Sequence, residues 1–177
     1  MDASEALLIR IENDPVAAQH LAWPGDFDIT RRDPVEDVRL PSGLTMRPIA
    51  GDGAGGTFFL CGDSGDAERP VVYADSEGQA ALIGADLAEA VELIVSCPMW
   101  RDLAKGFDPA ELEADLRADH PDLDREREEL AAALGLTFPP VQEVVTRLRA
   151  TAARTAPDFL PFVDDDDHEP YEPLFGP

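Results

Sequence analysis

Short apolar runs separated by Gly, Asp and Ser residues occupy the chain between residues 38 and 83. Five such runs follow one another: Val38–Leu40, Leu44–Ile49, Thr57–Cys61, Pro70–Ala74 and Ala80–Ile83. Runs of this length, rich in β-branched and aromatic residues and closed by turn residues, are typical of strands. Because the connections between them are short, neighbouring strands have to pair antiparallel.

Apolar residues at helical spacing lie on both sides of these strands. Upstream, residues Ala3 to Leu21 predict a helical stretch with a break and restart at Asp14-Pro15. Downstream, Asp86 is placed to cap a helix that Pro98 ends or kinks before Trp100. The apolar face of that helix consists of Leu87, Ala90, Val91 and Ile94. The pattern predicts an α+β fold, with a short-stranded antiparallel sheet and flanking helices.

The remaining chain divides into a helical extension and an acidic tail. Three more helices are predicted, opened by Pro109, Pro121 and Pro140. From Thr155 onward, acidic residues and prolines alternate with large apolar residues, which leaves open whether the tail docks on its own domain or on a partner. The predicted organisation is an α+β core at 1–106, a helical extension at 107–154 and an acidic, proline-rich tail at 155–177.

The segment Gly51–Gly56 has the spelling of a dinucleotide-binding loop, G-x-G-x-x-G. Such a loop needs a helix directly after the glycines, so that the helix amides meet the pyrophosphate. Here the β-type run Thr57–Cys61 follows, and the Lys and Ser/Thr of a Walker loop are missing. We therefore predict a turn between two strands and no nucleotide cofactor.

The charge of the chain is its strongest compositional feature. It carries 37 acidic and 14 basic residues, for a formal net charge of −23. Such a surface repels nucleic acid and anionic lipid and attracts basic proteins. The alternative interpretation is that the acidity only maintains solubility.

No catalytic, metal-binding or cofactor-binding residues can be selected from the sequence. Carboxylates are too numerous for any pair to indicate acid/base chemistry, and His20, His120 and His168 lie far apart. Cys61 and Cys97 sit in apolar stretches and are expected to be buried free thiols of a cytoplasmic protein. Neither a signal peptide nor a membrane span is apparent. We expect Trp100 in the core, whereas Trp23 fits a core residue and an interface anchor equally well.

The stretch Leu44–Leu103 resembles the SMI1/KNR4, or SUKH, superfamily. The resemblance rests on Met46–Ala50, the Gly/Asp turn ending at Gly56, Phe58–Leu60, Pro70–Tyr73 and a helix ending on Trp100. It implies an α+β fold with an antiparallel sheet. It also implies a binding protein without catalytic residues, since many bacterial members are immunity proteins that neutralise toxins, often nucleases.

Charge and resemblance together predict a cytoplasmic acidic protein-binding module rather than an enzyme. The leading function is an immunity protein that occludes a basic toxin, such as a nuclease. The alternative is a regulatory or scaffold protein that engages a host partner through its acidic-aromatic tail. The expected partner-binding residues are Asp63, Asp66, Glu68, Asp75, Asp164, Asp165, Asp166, Asp167 and Tyr171.

Overall fold

A five-stranded sheet forms the centre of the computed structural model, which describes residues 1–177. The strands are β1 (Val38–Arg39), β2 (Met46–Gly51), β3 (Thr57–Cys61), β4 (Val71–Ala74), β5 (Gln79–Gly84), β6 (Phe162–Val163) and β7 (Glu172–Pro173). The sheet has the order β2-β3-β4-β5-β7, and β2 to β5 form an antiparallel meander as predicted. The predicted pairing of the first strand with its neighbour is wrong, because β1 pairs with β6 in a separate two-stranded sheet. The tail strand β7 joins the edge of β5 in parallel orientation.

Helices flank this sheet, so the predicted α+β class is confirmed. They are α1 (Ala3–Asn13), α2 (Pro15–Ala22), α3 (Leu87–Ser96), α4 (Pro109–Asp119), α5 (Leu123–Leu134), α6 (Val141–Ala152) and a 3-10 helix (Trp100–Lys105). Aspartates Asp2, Asp14, Asp86 and Asp108 cap helices by accepting hydrogen bonds from first-turn amides. Part of the negative charge therefore has a local role at helix N-termini.

Both faces of the sheet are buried. Side chains such as Phe58, Leu60 and Tyr73 pack on one face against the helices, in the larger hydrophobic core. Phe59 and Val72 point to the other face, in a smaller core that contains Tyr171 of the tail. This explains why the strands read as continuous apolar runs instead of alternating. Trp100 is buried as expected, and so are Phe58, Leu60, Val72, Ile83, Val91 and Ile94.

The acidic tail docks on its own domain. Strand β6 pairs antiparallel with β1, and β7 pairs with the first residues of β5. The Tyr171 side chain is buried and its hydroxyl donates a hydrogen bond to Glu36 Oε2 at 2.8 Å. The ring of Phe175 lies 6.4 Å from that of Trp100. These contacts account for the large apolar residues in an otherwise acidic, proline-rich segment.

The helices between residues 107 and 154 pack on the rest of the molecule. Helix α6 contacts β5 and α3, and α5 contacts α2. Leu112, Leu130 and Leu148 belong to the same hydrophobic core as the sheet. Each helix is too short or too polar to cross a bilayer.

Candidate functional site

The glycine loop between β2 and β3 is held from inside by a buried carboxylate. Asp52 has a side chain that is 1% exposed, and its Oδ1 accepts hydrogen bonds from the amides of Ala54 (2.9 Å) and Gly56 (2.8 Å). These amides are therefore occupied by the protein's own carboxylate. The predicted connection between two antiparallel strands is confirmed, and a short internal network fixes its shape.

Tyr73 and Arg101 complete the environment of this carboxylate. The Tyr73 hydroxyl donates to Asp52 Oδ2 at 2.6 Å, and Arg101 Nη1 lies 3.9 Å from the same oxygen. Burial and the hydrogen bond to Asp52 raise the pKa of Tyr73 far above its usual value, because both disfavour the phenolate. The guanidinium lies 5.3 Å from the Tyr73 ring centroid and 5.1 Å from that of Trp100. Arg101 is thus fixed by aromatic rings and carboxylates together.

Asp26 extends the network to the turn after α2. It adopts a left-handed backbone with φ 52°, a conformation that aspartate tolerates better than most residues. Its Oδ1 accepts from the Gly53 amide at 2.9 Å, and its Oδ2 accepts from Arg101 Nη2 at 2.8 Å. The three segments around Asp26, Asp52 and Arg101 are thereby joined at one end of the sheet.

That end of the sheet carries acidic groups around the glycine loop, of which Glu36 and Glu77 are exposed and Asp26 and Asp75 are half-buried. The turn between β4 and β5 contacts the loop, since the Ser76 hydroxyl donates to the Ala54 carbonyl at 3.0 Å. Val35 lies beside Gly55 on the other flank. We call this surface the loop end and define it by Asp26, Glu36, Asp75, Glu77 and the loop residues Gly53–Gly55.

A second group of carboxylates adjoins the loop end on the β1–β6 ribbon. The Asp164 amide donates to the Asp37 carbonyl at 2.8 Å, which places the run Asp164–Asp167 beside Glu36 and Asp37. Asp165 Oδ1 accepts from the amides of Asp167 and His168, so the turn has a defined shape. We call this ribbon the acidic flap and define it by Glu36, Asp37, Asp164–Asp167 and Glu169.

The structure separates the predicted partner-binding residues into two groups. Asp75 and Asp164–Asp167 lie at the loop end and on the acidic flap. Asp63, Asp66 and Glu68 lie in the loop between β3 and β4, at the opposite end of the sheet. There Asp63 accepts from Thr45 and Asp66 accepts from the Asp63 amide.

Tyr171 differs from the other predicted residues because it is 6% exposed and serves the docking of the tail. Burial and the hydrogen bond to Glu36 raise its pKa above the ordinary value for tyrosine. Its side chain cannot reach a partner while the tail is docked. The tail therefore presents its carboxylates on the acidic flap and keeps Tyr171 buried.

Several residues of this surface were not selected from the sequence. Asp26, Glu36 and Asp37 come from the irregular passage before β1, and Arg101 from the segment after α3. The predicted strand order could have located part of this surface, because the first and third turns of an antiparallel meander lie at the same end of the sheet. That rule alone would have grouped Asp75 with the glycine loop and set Asp63 apart.

The site holds no group of side chains arranged to bind a metal ion, since no three His, Cys, Asp or Glu side chains are grouped to hold one. The Asp52 carboxylate is satisfied within the protein, whereas Arg101 Nη1 and Trp100 Nε1 are buried without a hydrogen-bond partner. Compared with known protein families, with curated proteins and with solved structures, the chain matches none. Functional inference therefore rests on the geometry and charge of this surface.

Proposed function

We propose that this protein is a binding module for a basic protein, and that it uses the loop end together with the acidic flap as its interface. The observation that carries this proposal is the assembly of carboxylates from separate segments on one surface. Asp26, Glu36, Asp75 and Asp164–Asp167 come from the passage before β1, the β4–β5 turn and the tail.

Few positive charges compensate this surface. Arg101 pairs with Asp26 at 2.8 Å, Arg39 lies 2.6 Å from Asp164, and Arg31 lies 3.4 Å from Asp28. Asp165, Asp166 and Asp167 form no ion pair. A surface of uncompensated charge steers an oppositely charged protein and speeds its association, more than it strengthens the final complex.

The internal network supports binding because it fixes the surface before a partner arrives. Asp52 holds the glycine loop, Asp26 and Arg101 hold the adjoining turn, and β1 with β6 holds the flap. A surface that is already ordered loses less conformational entropy on binding than a flexible one. This distinguishes the loop end from a solvated acidic tail.

Within this class, we propose the role of an immunity protein that occludes a basic toxin. The segment Leu44–Leu103, which resembles SUKH proteins, forms the meander, α3 and part of the 3-10 helix, and it therefore supplies the scaffold of the loop end. Carboxylates that take the place of phosphate groups could block the groove of a nuclease without reading any base. The role involves no catalysis by this chain.

The alternative is a regulatory or scaffold protein that engages a host partner through its tail. In that case Tyr171 and Phe175 would have to leave their positions on β5 and Trp100. The buried state of Tyr171 favours an interface made of the exposed carboxylates instead.

Capture from extracts of the native host tests the proposal. The immobilised protein is expected to retain a basic protein that elutes as the salt concentration rises, because screening shortens the reach of charge to about 10 Å at 0.1 M. Coexpression of the captured protein should then be tolerated only with the module present. Retention of an acidic partner that resists salt would contradict the proposal.

A further inference from the structure

Trp23 is a large aromatic side chain left on the surface. It is 69% exposed, whereas the other tryptophan, Trp100, is fully buried. Tryptophan is enriched among the residues that dominate binding energy at interfaces. The sequence left the role of Trp23 open, and its exposure excludes a core role.

The turn that carries Trp23 is closely packed at the residue two positions later. Gly25 is buried, and a side chain there would collide with the carbonyl of Leu21 and with the side chain of Ile94. On its other side, the Trp23 ring lies 6.0 Å from the ring of His120 at the C-terminal end of α4. A side chain presented in this way loses little freedom when it is covered by a partner.

The surroundings of Trp23 are acidic. Helices α4 and α5, including the turn between them, contain nine acidic residues and three arginines. Those arginines are paired: Arg117 with Glu113 and Asp124, Arg125 with Asp122 and Glu129, and Arg127 with Glu113. Asp119, next to His120, is exposed and forms no ion pair. No unpaired arginine of α4 or α5 is therefore left to repel a positively charged partner near the indole.

Trp23 is close in sequence to the proposed interface. It stands three residues before Asp26, whose side chain holds the glycine loop. An exposed indole beside an acidic helix pair fits a guanidinium, which stacks on aromatic faces and pairs with carboxylates at the same time. A second copy of the chain is a poor occupant, because each copy carries a net charge of −23.

We propose that Trp23 and His120, with the neighbouring carboxylates, form a platform that receives an arginine side chain of the basic partner. The inference rests on the proposed function and deepens it, since it adds an aromatic anchor to an interface otherwise made of charge. It also assigns the chemistry of the anchor: arginine is preferred over lysine, because the planar guanidinium stacks on the indole.

The probes are two labelled peptides of equal length, one with alternating arginine and glycine and one with lysine in place of arginine. Their affinities for the full chain are measured by fluorescence anisotropy at low salt. We expect Trp23→Ala to weaken binding of the arginine peptide by about two- to five-fold, and that of the lysine peptide by less. Phe107→Ala is the matched control, because Phe107 is 53% exposed at the other end of α4, and we expect no change.

Intrinsic fluorescence locates the contact, since the chain has only two tryptophans. The arginine peptide should shift the emission of the wild-type protein, and Trp23→Phe, which retains only the buried Trp100, should lose that shift. Equal affinities of Trp23→Ala and wild type for the arginine peptide would overturn the inference. So would a shift that depends on protein concentration without peptide, which would indicate self-association.

Failure of this inference can be distinguished from failure of the proposed function. If neutralising the acidic flap weakens the arginine peptide while Trp23→Ala does not, the platform is wrong and the acidic interface stands. If neither change has an effect, both are wrong.

Discussion

At the scale of single residues, a buried carboxylate organises the exposed ones. Asp52 accepts hydrogen bonds from two loop amides and from Tyr73, and it lies 3.9 Å from Arg101. The sequence showed that the glycine loop joins two strands, because β-type residues flank it. It could not show the partners of Asp52, since these come from β4 and the 3-10 helix, and only the folded chain brings them together.

This network requires glycine at position 56 because neighbouring side-chain atoms lie too close for a Cβ, and not because of the backbone angles there. Positive φ occurs at Gly55 (φ +92°), whereas a Cβ at Gly56 would fall on the Tyr73 hydroxyl and within 2.6 Å of Asp52 Oδ2. We expect Gly56→Ala to lower the free energy of unfolding by about 1–3 kcal/mol, the usual cost of overpacking.

Urea denaturation measures this effect, with Gly53→Ala as its control. At Gly53 the nearest atom to an added Cβ is Asp26 Oδ1 at 3.5 Å, so the free energy of unfolding should stay within about 0.5 kcal/mol of wild type. Equal losses in the two variants would show that the loop has no specific need for glycine at position 56.

The two cysteines give a prediction on pH dependence. Burial raises the pKa of both thiols, Cys61 and Cys97, from 9.0 to about 12. As the pH rises, the thiols lose their protons at a lower pH in the unfolded chain than in the folded protein. Their contribution to stability is therefore full below pH 9 and is lost between pH 9 and about 12. Alkylation by iodoacetamide at pH 8 should therefore be slow for both thiols in native protein and fast in urea; rapid native labelling would contradict the burial of these thiols.

At the scale of elements, local patterns predicted local structure and missed the long-range pairing. The helix starts at Asp14-Pro15, Asp86 and Asp108 follow from capping chemistry, which depends on adjacent residues. The pairing of β7 with β5 joins residues far apart in the chain, and β7 is only two residues long. The sequence did not predict this pairing, because prolines and negative charge in the tail are not typical of a paired strand.

Tyr171 is expected to control the docking of the tail. In Tyr171→Ala the smaller core loses an aromatic side chain, a change that costs about 3–5 kcal/mol when it is buried. We expect faster hydrogen exchange at the amides of Val163, Glu172 and Leu174, which donate to backbone carbonyls in the docked state. Tyr171→Phe loses only the hydrogen bond to Glu36, worth about 0.5–1.5 kcal/mol, and should retain most of the protection. Unchanged exchange in Tyr171→Ala would show that other contacts hold the tail.

At the scale of the whole molecule, the distribution of charge carries the functional proposal. Composition predicted a basic partner, and it could not tell which carboxylates share a surface. The fold places Asp164–Asp167 beside Glu36 and Asp37, and it sets Asp63, Asp66 and Glu68 at the end of the sheet opposite to Asp75. Neutralising the same number of carboxylates in either group changes the net charge equally. A comparison of the two variants therefore tests whether the position of the carboxylates matters.

The most direct test compares association rates of two block variants with the captured basic partner over a series of salt concentrations. One variant replaces Asp165, Asp166 and Asp167 by Asn on the acidic flap. The other replaces Asp63 and Asp66 by Asn and Glu68 by Gln at the opposite end. We expect the flap variant to associate more slowly and with a weaker salt dependence, while the opposite-end variant and the dissociation rates change far less. Equal slowing by the two variants would contradict the account, because only the total charge of the protein would then matter.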